Sequence, residues 1–363
     1  MIEIKPLYAS DCKEVVAMLD NFGDVLPQEL SNQRKKIHTS SYTFFQHWLP
    51  CYFHIDSLIY VAKEKSKTLG FIAVSRIDKL VNSWKIDQLV VHPDYRRKGI
   101  AKELINFVSA IYGSQGVRSF NAEVDINNSP GLNLLAQKAF SKQALAYYFD
   151  LDLESGLTDS PVYGCCQVGV ENVSELFDLY QISLPFKLKE IYGLVNSHDL
   201  TANSSHFSRS WLFNTIRFRR NLIYGLTNPE NPGRFEAWSQ VSSLDKNLFI
   251  IEFNLHPGFQ DNIELYFLSV LYGFNKYLVS QAHNKSEQKN VQVIVKCFDY
   301  QAKLLEILKK YKSSVIKSNC LLVQEHWSKA RVSQSFVNPL MAKNLTAITK
   351  PAVYMPNSYG NRT

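Results

Sequence analysis

The 363-residue sequence predicts an α/β chain made of two tandem copies of one strand-and-helix unit, and three observations point there. Residues Ile86 to Ala101 run from an apolar strand through a Pro turn and a basic loop into an amphipathic helix, Ala101 to Ile111. Strand-like and helix-like periodicities alternate on either side of that run. The second half echoes the first at an offset of 164 residues, with Leu58-Ile59-Tyr60 returning as Leu222-Ile223-Tyr224.

In the first half, Ile2 to Leu7 reads as a strand, and Ser10 is placed to cap a helix reaching about Leu19. Residues 21–39 read as loop, and Ser41 to Phe53 as an aromatic-rich helix. Leu58–Lys63 and Leu69–Asp78 form a hairpin pair, and Trp84–Val91 is the strand that enters the basic turn. Arg118–Asp125 is the next strand, Ser129–Lys138 a short helix, and Gln143–Leu153 a closing strand.

The echo continues with Phe71 and Ala73 returning as Phe235 and Ala237, and His92-Pro93 as His256-Pro257, with no gap between those points. Asn262–Ala282, Val291–Lys296 and Asp299–Tyr311 then take the places of the long helix, the next strand and the short helix. Expected boundaries are therefore residues 1–155, residues 160–328 and an irregular tail, 329–363, punctuated by Pro339, Pro351, Pro356 and Gly360.

Composition narrows the function. Apolar residues make up 45% and charged residues 20%, as in a soluble globular chain. No run approaches membrane-spanning length, and the start Met1-Ile-Glu-Ile-Lys-Pro is unlike a signal peptide, so a cytoplasmic location is expected. Cys12, Cys51, Cys165, Cys166, Cys297 and Cys320 lack zinc spacing and are thin for a disulfide scaffold, so no metal is expected. The net charge of +7 suits an anionic ligand. It also permits nucleic acid, but no aromatic-and-basic stripe supports that. Arg217, Arg219, Arg220 and Lys309, Lys310, Lys312 read as solvated faces or helix-end cations.

The chemistry concentrates at Arg96-Arg97-Lys98-Gly99-Ile100-Ala101. A strand feeding a helix through Gly and cations gathers free N–H groups and the positive end of the helix dipole at one point, which suits a pyrophosphate. Gly99 admits the phosphate where a Cβ would block it, and Ala101 keeps the next turn slim. The second copy substitutes Ile263 for Gly99, Leu265 for Ala101 and Gln260-Asp261-Asn262 for the cations. That copy is expected to have lost this site, leaving it to pack on the first, complete an acceptor cleft or form a homodimer.

The pattern Arg/Gln-x-x-Gly-x-Gly/Ala, preceded by Leu89-x-Val91-x-Pro93, resembles the acyl-CoA-binding motif of the Gcn5-related N-acetyltransferase (GNAT) superfamily. The resemblance implies two tandem GNAT folds, each a mixed central sheet flanked by helices, the second degenerate. It implies an acyl-CoA donor, held by the backbone of Leu89, Val90 and Val91 and by Arg96 through Ala101. The acceptor it implies is a primary amine, on a small molecule or on a Lys or ornithine side chain of a peptide.

Asp87 stands where GNAT enzymes commonly carry a strand glutamate as general base; pairing with Lys85 or Arg76 is the alternative. Asn128 and Phe140 fit the family's Asn-x6-Tyr-x3-Gly-Phe pattern, so Asn128 joins the expected CoA residues. Leu135 and Ala139 depart from that pattern at the Tyr and Gly places. Tyr147 and Tyr148 are then the candidates to protonate the leaving thiolate, or it leaves unaided. His92 recurs as His256, which favours a turn role. Tyr42, Phe44, Phe45, Trp48, Tyr52 and Phe53 are either core or an apolar wall for a long acyl chain. A non-catalytic acyl-CoA sensor or scaffold is the competing reading.

Overall fold

A computed structural model describes residues 2–22, 57–76, 83–114, 117–151, 165–168, 172–186, 188–189, 221–228, 231–245, 247–259, 262–281, 291–311 and 313–325. The aromatic segment 42–53, Cys51, the arginines at 217–220, Gln260, Asp261, Lys312 and the tail from 329 lie outside the described residues.

The first repeat contributes β1 (Glu3–Pro6), α1 (Cys12–Phe22), β2 (Ser57–Glu64), β3 (Lys67–Arg76), β4 (Ser83–Val91), α2 (Ile100–Ser114), β5 (Ser119–Asp125), α3 (Ser129–Gln137) and β6 (Ser141–Leu151). The second contributes β7 (Cys165–Gln167), α4 (Val173–Ser183), β8 (Asn221–Asn228), β9 (Asn231–Asp245), β10 (Leu248–Leu255), α5 (Ile263–Gln281), β11 (Gln292–Phe298), α6 (Ala302–Lys310) and β12 (Ser314–Glu325).

Strands β2 and β3 are buried on both faces, so their centres read as nearly continuous apolar runs. Along β2, Tyr60 and Ala62 pack toward α2, while Ile59 and Val61 join the core under α1. Helix α2 presents Ile100, Leu104, Ile105, Val108 and Tyr112 as one buried stripe at helical spacing. Ser10 is not the cap expected for α1: it lies in a 3-10 turn, Ala9–Asp11, with its hydroxyl on Asp11.

All twelve strands form one sheet in the order β1-β2-β3-β4-β5-β12-β6-β11-β10-β9-β8-β7. The last strand of each repeat lies inside the other. β12 pairs antiparallel with β5 of the first repeat, and β6 pairs antiparallel with β11 of the second. Because β6 and β12 also pair with each other, the sheet is continuous across the repeats.

The exchange is symmetric. An offset of 173 residues carries Ile126 onto Asp299 and Leu145 onto Ser318; Ile126 donates to Ser318 O at 3.0 Å, and Asp299 to Leu145 O at 2.9 Å. Ala146 pairs with Asn319, its own counterpart at that offset, so the pseudo-twofold axis passes between them.

The single offset of 164 read from the sequence therefore needs correction. It holds for His92 and His256, but their N–H groups bond Leu69 O and Glu236 O, which are 167 apart. Phe71 opposes Val90 and Trp238 opposes Asn254, so the counterpart of Phe71 is Trp238 and not Phe235; likewise Gln240 replaces Ala237 as the counterpart of Ala73. Three extra residues lie within β9, between Asn231 and Ala237, and the β9–β10 turn is shorter, which restores the offset at His256.

Charge locks the axis. Glu123 and Lys296 occupy equivalent positions at the 173 offset, and their side chains pair at 3.2 Å. Tyr148 donates to the other Glu123 oxygen at 3.0 Å, and Lys85 stands 3.9 Å away. Burial alone would raise the Glu123 pKa, but Lys296, Lys85 and the hydrogen bonds from Lys296 and Tyr148 outweigh it and hold the carboxyl well below its ordinary range. In a perfectly symmetric ancestor like charges would have met here.

A depressed folded-state pKa contributes stability above the unfolded value, about 4.3, and that contribution is lost as pH falls below it. Glu123→Gln should lower urea-unfolding stability at pH 7 by roughly 3 kcal/mol, because it leaves the largely buried Lys296 to the more distant Glu252, 3.7 Å away. It should also flatten the fall in stability between about pH 5 and pH 3. Equal acid limbs in variant and wild type would show that the pair does not matter.

Candidate active site

The ladder between parallel β4 and β5 runs from Ser83↔Ser119 to Ile86↔Ala122 and stops. One residue later, the β3–β4 register shifts: Val74 opposes Ile86 and Ala73 opposes Gln88, so Asp87 is the extra residue of a β-bulge. Bulge and lost pairing open β4 from β5, and Leu89, Val90 and Val91 then border the gap on their β5 side.

On its other side this segment lies close against β3. A Cβ on Gly70 would stand 2.7 Å from Val90 O and 3.2 Å from a Val91 methyl. Only glycine lets β3 approach here, a constraint the sequence reading missed. Val90 is buried beneath α1, whereas Leu89 and Val91 pack toward α2.

The turn after Val91 is tied by local bonds. Asp94 N–H donates to His92 Nδ1, Tyr95 N–H to His92 O and Arg96 N–H to Pro93 O. The second repeat forms the same turn, with Gly258 N–H on His256 Nδ1 at 3.1 Å and Phe259 N–H on His256 O at 2.8 Å. The imidazole of His92 thus has the turn-holding role that its recurrence suggested.

Beyond the turn, Arg97 at φ 61° and Gly99 at φ 82° both adopt left-handed backbone. Gly99 O accepts the Glu103 N–H at 3.0 Å, so α2 starts directly at the loop and its first N–H groups have no helical partner. A Cβ on Gly99 would meet nothing within 4 Å. The space in front of that backbone is open, as a phosphate cradle requires.

Cations surround the opening. Arg96 Nε donates to Val91 O at 3.2 Å, with its guanidinium over the Phe22 ring. Lys98 lies 4.8 Å from the centre of the Tyr95 ring, and Lys67, from the β2–β3 turn, reaches the same ring at 5.0 Å. A hydrogen bond with the Tyr95 hydroxyl raises the Lys67 pKa. Lys67 was invisible in the linear motif because Tyr95 recruits it across the hairpin. Ile100 is buried in the α2 core and offers the opening only its backbone.

Other expected site residues are more committed. Asn128 caps α3, its Oδ1 accepting the Gly131 N–H at 3.0 Å. Leu135, at the tyrosine place, is buried in the core and leaves no hydroxyl there. Tyr147 packs against the core of the second repeat, so it is not a candidate beside the gap. Tyr148 instead holds Glu123.

The second repeat closes what the first opens. The β10–β11 ladder continues to Glu252↔Lys296, one residue past Ile251, which opposes Val241 and Val295 as Ile86 opposes Val74 and Ala122. Asp87 is thus an extra residue with no counterpart in the second repeat, and Ile251 matches the buried Ile86 rather than Asp87. Asn262, whose O accepts the first helical N–H from Tyr266, takes the place of Gly99, and Ile263 matches the buried Ile100; the sequence pairing of Gly99 with Ile263 is off by one. Among the described residues no group of three or more His, Cys, Asp or Glu side chains could hold a metal. No described helix is long and apolar enough to cross a membrane.

Residues 26–140 match the model of the Acetyltransferase (GNAT) family. Among solved structures, a tandem GNAT protein from the clavulanic acid biosynthesis pathway superposes with a TM-score of 0.58 at 14% identity, covering 91% of this chain and all of that one. The whole chain has the fold of a tandem GNAT protein. A GNAT from Sphaerobacter thermophilus is similar in the same way, with a TM-score of 0.57 at 10% identity over 92% of this chain and 98% of its own. No curated protein matches at significant similarity. The two superpositions carry the fold of the whole chain, and the family match falls within the first repeat.

The open space at Gly99 makes one substitution decisive. Gly99→Ile costs about 1–2 kcal/mol of left-handed strain and fills the cradle with a branched side chain. A folded variant that has lost calorimetric CoA binding is expected. Undiminished affinity would sink the cradle assignment.

Proposed function

We propose that the first repeat transfers an acyl group from CoA to a primary amine, with the pyrophosphate on the Gly99 loop and Asp87 as general base. The observation that carries this reading is the coincidence of bulge, ladder end and a carboxylate at one residue, an arrangement absent from the second repeat. In this reading Arg96, Arg97, Lys98 and Lys67 neutralise the phosphates, and the N–H groups of Gly99 through Ala101 bind them. Backbone of Leu89, Val90 and Val91 bonds the pantetheine arm, and one of those N–H groups stabilises the oxyanion. Asn128 completes the set through its cap position at α3.

The amine arrives as an ammonium and must lose two protons to become an amide. Asp87 takes the first, directly or through water; the nitrogen then attacks the thioester carbon and the C–N bond forms, and as the C–S bond breaks the nitrogen sheds the second proton to solvent. With Leu135 buried, the sulfur leaves as thiolate, as the modest pKa of a thiol allows. Residues 1–155 carry the chemistry in this reading, and residues 160–328 contribute β12 and the opposing wall. Acetyl is the simplest donor. A longer chain would need the aromatic segment 42–53 as a tunnel.

An amine with a solution pKa of about 10.4 is neutral in about one part in 2,500 at pH 7. Asp87→Asn should therefore cut turnover about a hundredfold or more with CoA affinity unchanged, and the loss should shrink as pH rises. Wild-type turnover at pH 7 would mean that Asp87 is structural. One CoA per chain is expected in the same titration; two equivalent sites would contradict loss of the second.

A further inference from the structure

A cavity of about 360 Å³ lies where the repeats meet. Its floor comes from both: Lys85 and Glu123 from β4 and β5, Glu252 and Lys296 from β10 and β11. Side chains following α4, with Phe298 of β11, supply an apolar wall that includes Leu184 and Leu188. Ala122, the last β5 residue paired to β4, also lines it, so the cavity begins where the reaction gap opens.

The floor alternates in charge. Lys85 stands 3.9 Å from Glu123, Glu123 3.2 Å from Lys296, and Lys296 3.7 Å from Glu252. The inner members keep 13–14% of their side-chain exposure, whereas Lys85 and Glu252 keep 40% and 47%. One cation and one anion thus reach the cavity's ends from opposite repeats. Asn121, only 2% exposed, also lines the cavity. Its amide donates to Ser83, and its buried Oδ1 has no hydrogen-bond partner, an acceptor suited to a ligand's N–H.

We propose that this cavity is the acceptor site and takes a zwitterion, an α-amino acid with an apolar or aromatic side chain, whose α-amine is acylated. The proposal rests on the acyltransferase reading and adds to it the class of acceptor. Lys85 receives the carboxylate, Asn121 Oδ1 an ammonium N–H, and the apolar wall the side chain. The ammonium loses one proton to Asp87, the nitrogen attacks the thioester carbon, and it sheds its second proton to solvent as the C–S bond breaks and CoA leaves as thiolate. Acylation removes the cationic nitrogen, so the product loses the charged contact at Asn121 while its carboxylate and side chain keep theirs. An isolated copy of either repeat would hold only half of the floor.

Calorimetry with leucine, phenylalanine and tyrosine, alongside phenethylamine and 3-phenylpropionate, tests this on the full chain. Phenylalanine should bind saturably, with the amine-only and acid-only analogues about ten- to a hundredfold weaker. Lys85→Met, at a partly exposed site, should bring phenylalanine down to the level of phenethylamine while CoA affinity stays the same. Phenethylamine binding as tightly as phenylalanine, or none of the three amino acids binding a preparation that does bind CoA, would overturn the proposal. Loss of CoA binding in the wild type would instead refute the acyltransferase reading, and the amino-acid titration would still judge the cavity.

Discussion

The exchange of β6 and β12 is the constraint on which the rest of the molecule depends. Neither repeat closes its own sheet: β5 is covered by a strand from the far end of the chain, and β11 by one that precedes it by some 140 residues. Unpaired edges at β5 and β11 would be costly, and reciprocal exchange removes both at once. It also brings equivalent residues face to face across an axis, which is why divergence at Glu123 and Lys296 creates an ion pair that identical copies could not form.

Around that axis the repeats have divided their labour without changing the scaffold. Both retain the His-Pro turn with the same imidazole acceptor, so the turn belongs to the fold. They differ five residues before that turn. Where Asp87 is added to β4 as a bulge, β4 leaves β5; where β10 has no added residue, it remains on β11. A few residues decide whether the same architecture is open or sealed.

Much of this was legible in the sequence. The strands and helices of the first repeat follow from alternation and helical spacing, and the loop at Gly99 from cations beside a glycine. Asp87 stood out as an acid in an apolar strand. Its bulge did not, because a register shift depends on how two strands of different lengths match. The strand exchange was equally hidden: the pattern of β6 and β12 says that each is buried, but not against which neighbour. Lys67 and Gly70 act through contacts across a hairpin that a linear motif cannot show. The offset of 164 misled at β9 because three residues added early in that strand are compensated by a shorter turn after it.

Hydrogen exchange across a denaturant series measures the central claim most directly. If each repeat is completed by the other, the amides of Ala144–Phe149 in β6 and Cys320–Val323 in β12 should open with one shared free energy, equal to that of global unfolding. Exchange of the β12 amides at a distinctly lower free energy, together with β7–β11 while β1–β6 stay protected, would show two independent units and contradict the account.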